Sequence, residues 1–95
     1  MMYLHIGNGK TVRVRELISF FDFDSMTVAG QSRKFLSDCE KKNLIDDCTG
    51  GDIPRSVILI SNGKKEGETP PYRILFSLLS TSALRARLGS DWNET

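Results

Sequence analysis

Residues 11 to 21 read TVRVRELISFF, and the change of period inside this stretch decides what fold the chain can make. Val12 and Val14 alternate with Arg13 and Arg15, the two-residue period of a strand with one buried face and one wet face. From Leu17 to Phe21 the alternation is lost and almost every step is apolar, as in a strand covered on both faces. A bend near Arg15 is therefore expected between two strands, with the arginines just before the buried part. Their face is either a surface for nucleic acid or the solvated back of a small domain.

Upstream, MYLHI has strand composition and runs into GNGK, where Asn8-Gly9 is a strong hairpin signal because both central residues of the turn must take positive φ. Residues 2 to 6 and 11 to 14 should pair, and Glu16 to Phe21 should continue as a strand. Downstream of DFDSM, the positions Val28, Gln31 or Ser32, Phe35, Leu36 and Cys39 recur at three and four. They predict a helix with Ser25 or Thr27 as its N-cap and Lys41, Lys42 and Asn43 at its end, lying over the sheet. LIDDCTGGDIP reads as a short apolar contact followed by an irregular loop broken by Gly50, Gly51 and Pro54.

RSVILIS and YRILFSLL are the clearest strands, rich in β-branched and aromatic residues. The polar NGKKEGETPP joins them, and Pro70 and Pro71 hold extended backbone into the second. STSALRARL predicts a short helix that Ser80 or Thr81 can cap, Leu84 and Leu88 can anchor and Gly89 can stop. SDWNET reads as a frayed tail. The expected fold is α+β: a small antiparallel β-sheet of about five strands packed by one long helix, with a short C-terminal helix. One domain covers residues 1–88, and a flexible tail covers 89–95.

The chain has 95 residues, with 39% hydrophobic and 26% charged, which places it in the ordinary globular range and away from disordered and membrane classes. Thirteen Lys and Arg against twelve Asp and Glu give a formal net charge of +1, so no global field draws the chain onto a polyanion. A nucleic-acid site has to come from clustering or from repetition in an oligomer. The opening residues lack both the charged region of a signal peptide and the length of a membrane span, so a cytoplasmic protein is expected. Cys39 and Cys48 fit no common zinc spacing and read as buried or idle thiols.

The remaining chemistry is sparse. GKT at 9 to 11 imitates the end of a phosphate-binding loop, but that motif needs a glycine where Leu4 stands and a helix where a strand is expected. His5 is the single histidine, which removes a histidine-based triad or a multi-histidine metal site. Asp46 and Asp47 point opposite ways in extended backbone and suit a solvated loop better than paired acid–base work. NET at 93 to 95 matches a glycosylation acceptor without a secreted context. No enzyme and no cofactor are expected.

Arg13, Arg15, Arg55 and Arg73 all lie in or beside strands, where a guanidinium suits bidentate phosphate contact. Edge strands also carry exposed positive charge simply to prevent edge-to-edge pairing. Phe20, Phe21, Phe23, Phe35 and Phe76 sit where a core needs them, so stacking on single strands is not indicated.

MYLHIGNGKTVRVRELISFFDFD, followed by FL, PRSVILIS and YRILFSLLSTSALRARL, resembles the bacterial extracellular-matrix regulators of the RemA/RemB type, most closely the RemB branch. The resemblance covers about residues 2 to 88. It implies small α+β protomers assembled into an oligomer such as a ring, acting in control of biofilm extracellular-matrix genes. Double-stranded DNA would be gripped by arginines repeated around the assembly, with backbone and shape readout dominant. Arg15 matches the arginine before the apolar strand, and Arg55 matches the last of an arginine-rich run. Asp52 and Ile53 stand where earlier members of that run would be basic. Arg13 is added as a third contact from its position alone. The alternative is an oligomeric adaptor that keeps the fold and regulates through a protein partner. Both readings expect self-association, since the first hairpin and YRILFSLL provide more strand edge than one small sheet conceals.

Overall fold

Asn8 and Gly9 take φ of 53° and 74°, the pair of positive values that a two-residue turn requires. In the computed structural model, which describes residues 3–61 and 72–92, this turn joins β1 (Tyr3–Gly7) to β2 (Lys10–Arg13). Leu4 opposes Val12, His5 opposes Thr11 and Tyr3 opposes Arg13, with an irregularity between His5 and Gly7. The predicted bend is a single 3-10 turn over Val14–Glu16, after which β3 (Leu17–Asp22) begins.

That turn does more than bend the chain. The hairpin forms a two-stranded sheet of its own, and β3 enters a separate four-stranded sheet with order β3-β5-β6-β4. The remaining strands are β4 (Ile45–Asp47), β5 (Ser56–Ser61) and β6 (Tyr72–Ser77). Six strands in two sheets thus replace the expected single sheet of about five. The larger sheet is mixed, because β4 runs parallel to β6 while β3, β5 and β6 are antiparallel.

Alternation along the central strands divides the core in two. Ile58 and Leu75 join Leu4, Ile6, Val12 and Val14 of the hairpin, with Cys48 and Leu84, in one buried cluster. Val57 and Ile74 join Leu36, Cys39 and Leu44 in the other. The hairpin is therefore seated by its inner face on one side of the large sheet. The buried Ser77 hydroxyl pins it there by donating to the carbonyl of Ile6.

The predicted helix is divided. α1 (Phe23–Val28) and α2 (Gly30–Lys41) meet at Ala29, whose extended backbone interrupts them. Ser25 and Thr27 lie inside α1 rather than capping it, and the Thr27 hydroxyl turns back to the carbonyl of Asp24. α2 contributes only Leu36 and Cys39 to the buried set. Its end follows the sequence closely: Asn43 takes φ of 58°, and the N–H groups of Asn43 and Leu44 bond the carbonyls of Glu40 and Cys39. This is a Schellman cap with Asn in place of glycine.

α3 (Thr81–Trp92) starts where expected, with Ser80 Oγ accepting the N–H of Ala83 at 3.1 Å. Leu84 is buried and Leu88 is half-buried against the hairpin's cluster. Gly89 does not stop this helix, which runs through it to Trp92, so residues 89–92 are helical rather than part of a tail. The polar connection with Pro70 and Pro71, and residues 93 to 95, lie outside the described residues.

Two strands sit differently from expectation. β3 is an edge strand, not a doubly covered one: Ile18 is 54% exposed and Phe21 43% exposed. β6 is central, flanked by β5 and β4, so YRILFSLL offers no free edge over residues 72–77. Phe35 is also exposed, whereas Phe23 and Phe76 meet edge to face at 5.5 Å beside the second core cluster.

Candidate nucleic-acid interface

Because Leu4, Ile6, Val12 and Val14 point into the core, period two sends Tyr3, His5, Thr11 and Arg13 to the opposite face of the hairpin. That face is exposed, and it carries no carboxylate, since the first acidic residue of the chain is Glu16. Arg15 follows on the 3-10 turn, exposed as well. Among the described residues, neither Arg13 nor Arg15 makes a side-chain hydrogen bond or ion pair. Arg87 of α3 reaches β1 as well and donates from Nη1 to the backbone carbonyl of His5 at 3.1 Å.

Arg55 is brought to a different place. It precedes β5, whose first residue Ser56 opposes Asp22 at the far end of β3, while Arg15 lies just before Leu17 at the near end. The six residues of β3 span roughly 17 Å, and Arg15 and Arg55 lie beside its opposite ends. Arg55 lines a cleft of about 430 Å³ with Asp22, Asp24, Ser25 and Ser80. Its guanidinium is exposed and makes no hydrogen bond or ion pair among the described residues, but two carboxylates share its cleft. Asp22 is itself held by the Thr81 hydroxyl at 2.8 Å.

The loop before Arg55 is irregular, as the sequence predicts, yet well tied. Asp47 Oδ1 accepts the N–H of Thr49 at 2.8 Å and the Thr49 hydroxyl as well, and Thr49 Oγ1 accepts the N–H of Gly51 at 3.2 Å. These bonds, the Thr49 hydroxyl first, hold the Asp47 carboxyl below its ordinary value. Asp46 and Asp47 belong to β4 and are not solvated idle carboxylates. Asp46 takes two bonds from Arg73, Nε at 3.0 Å and Nη2 at 2.8 Å. That fork occupies Arg73 and removes it from the set of arginines open to a phosphate.

Both thiols are raised from their ordinary value, chiefly by burial, which keeps Cys39 and Cys48 protonated and poorly nucleophilic. Among the described residues, no three His, Cys, Asp or Glu side chains gather as metal ligands, and no helix is long and apolar enough to cross a membrane.

The three arginines singled out by sequence therefore divide into Arg13 and Arg15 at the hairpin end and Arg55 in the acidic cleft. Sequence reasoning missed Arg87, since its approach to His5 joins residues 82 positions apart. No protein-family model matches the chain, and no curated protein matches it either.

Proposed function

We propose that the chain is an oligomeric regulator of gene expression that binds duplex DNA, in the manner its resemblance to the RemA/RemB type implies, and that it is not an enzyme. The observation that carries this reading is the pair Arg13 and Arg15, exposed, without a carboxylate partner among the described residues, and set on the end of a seated hairpin and the 3-10 turn that follows it. Exposed guanidinium groups of this kind present several N–H donors that can meet phosphate oxygens together. A formal charge of +1 per chain is no obstacle when an assembly repeats a small cationic face along one duplex. Control of biofilm-matrix genes is the biological output the resemblance implies.

Self-association is part of the proposal. The exposed apolar side chains of Ile18 and Phe21 on the free edge of β3 support it, because such an edge is commonly covered by another chain. Light scattering should give a mass above that of one chain, and a monomer at all concentrations would contradict it.

The alternative reading, an adaptor acting through a protein partner, is favoured by one observation. Arg55 shares its cleft with Asp22 and Asp24, and Asp52 precedes it, which makes a poor setting for phosphate. Fluorescence anisotropy of a labelled duplex at several salt concentrations separates the two. DNA binding whose log affinity falls steeply with log salt supports the regulator, and no binding at low salt supports the adaptor.

A further inference from the structure

The hairpin's outward face differs from an ordinary solvated surface in shape as well as charge. Tyr3 opposes Arg13 and His5 opposes Thr11, so four side chains that donate hydrogen bonds, or donate and accept them, form two adjacent cross-strand pairs. Neighbouring strands lie about 4.8 Å apart, and successive outward residues on one strand about 7 Å apart. The four side chains thus rise from a narrow ribbon rather than from a broad sheet. Its inner face is fully occupied by Leu4, Ile6, Val12 and Val14 and is pinned by Ser77. The ribbon is held in one orientation with only its outer face available.

A two-stranded ribbon is one of the two elements that the major groove of undistorted duplex DNA, about 12 Å wide, can admit, whereas the minor groove at about 6 Å takes strands only where the duplex is bent or widened. The residue types suit base edges. An arginine can take the O6 and N7 acceptors of guanine together, and a threonine offers a hydroxyl to base-edge donors and acceptors and a methyl to the methyl of thymine. Flanking phosphates would meet Arg15 beyond the end of β2 and Arg87 beside His5, whose remaining donors stay open after the single bond to the His5 carbonyl. Lys10 contributes less. It starts β2 at the turn end, the opposite end of that strand from Arg13.

We propose that the β1–β2 ribbon enters the major groove of duplex DNA with Arg13 and Thr11 against base edges, and with Arg15 and Arg87 on the bordering phosphates. This rests on the duplex-binding reading above and adds to it a groove and a means of direct base recognition, where backbone and shape contacts alone were expected. The cleft around Arg55 takes no part in it.

The test uses the full chain and two short duplexes of one sequence. One is unmodified; in the other, the cytosines carry glucosylated 5-hydroxymethyl groups, which fill the major groove and leave the phosphates unchanged. The unmodified duplex should bind about tenfold or more tightly than the glucosylated one, the loss expected when base contacts of this kind are blocked. Arg13→Ala should erase most of that difference. Thr11→Val, which keeps shape and removes the hydroxyl, should reduce it. Equal binding of the two duplexes would overturn the groove assignment while leaving phosphate binding intact. Failure of both duplexes to bind at low salt would overturn the duplex-binding reading itself. Arg13 and Thr11 are exposed, so neither substitution threatens the fold.

Discussion

Arg13 and Arg73 are both strand arginines, and their surroundings make them opposites. Arg13 sits on a ribbon with no carboxylate from Tyr3 to Arg15, and its guanidinium is open. Arg73 sits at the β4–β6 junction, where Asp46 takes two of its donors and the carbonyl of Asn43 a third contact at 3.3 Å. The first is available to a ligand and the second belongs to the fold. Arg55 is intermediate, open but facing Asp22 and Asp24 across a cleft. A count of strand arginines therefore says little about binding until the carboxylates around each are placed.

The sharpest way to break this comparison is to unseat the hairpin. Ile6 is fully buried between the ribbon and the large sheet, and Ile6→Ala should cost about 3 kcal/mol by urea unfolding, from lost burial and the cavity left behind. A cost below about 1 kcal/mol would mean that the ribbon is not held as described. Val28→Ala on α1, where the side chain is 82% exposed, should be close to neutral in the same assay.

A smaller effect separates Arg73 from the hairpin arginines. The Arg73–Asp46 pair is partly exposed, at 34% and 43%, so solvent screens it and Arg73→Ala should lower stability by less than about 1 kcal/mol. The same change should leave duplex affinity as it was. Arg13→Ala should do the reverse, with unfolding unchanged and affinity reduced. If Arg73→Ala weakened DNA binding as much as Arg13→Ala, the distinction between engaged and open arginines would fail.

The smallest effect concerns the loop before Arg55. The Asp47 carboxyl is held below its ordinary value of 3.8, so the charged form stabilises the fold above that pH. Its contribution is lost as pH falls through the lower folded value. Asp47→Asn should lower stability near neutrality and draw level with the wild type as pH falls below about 4, which flattens the acid limb of the profile. An unaltered acid limb in urea titrations would show that the Thr49 bonds do not matter to folding.

How much of this was legible in the sequence follows from the range of each interaction. Asn8-Gly9, Ser80 and Asn43 act on backbone within a few residues, and the hairpin, the start of α3 and the end of α2 appear where the sequence puts them. The bend at Arg15 was also legible, but not its consequence, because nothing local says that a 3-10 turn will send the hairpin into a second sheet. LISFF looks alike in a central strand and in an edge strand of a sheet covered by other elements; which neighbour lies beyond β3 depends on the order of distant strands. The same reason hid β4, whose three residues pair in parallel with a strand 29 positions further on. At the candidate site, Arg13 and Arg15 were found by alternation. Arg55 was grouped with them by type and by the family resemblance, and the length of β3 keeps it apart. Arg73 was set aside only when Asp46 came within reach across 27 positions.

The most direct measurement is duplex binding against salt for the wild type, for Arg13→Ala/Arg15→Ala and for Arg55→Ala, each read as the slope of log affinity on log salt. Loss of the Arg15 phosphate contact should make the slope shallower by about 0.9 in the double variant, and by more if several protomers lie on one duplex; the lost Arg13 base contact lowers affinity at every salt concentration, and Arg55→Ala stays close to wild type. A double variant with the wild-type slope, or a slope that responds only to Arg55, would contradict the assignment of DNA binding to the hairpin end.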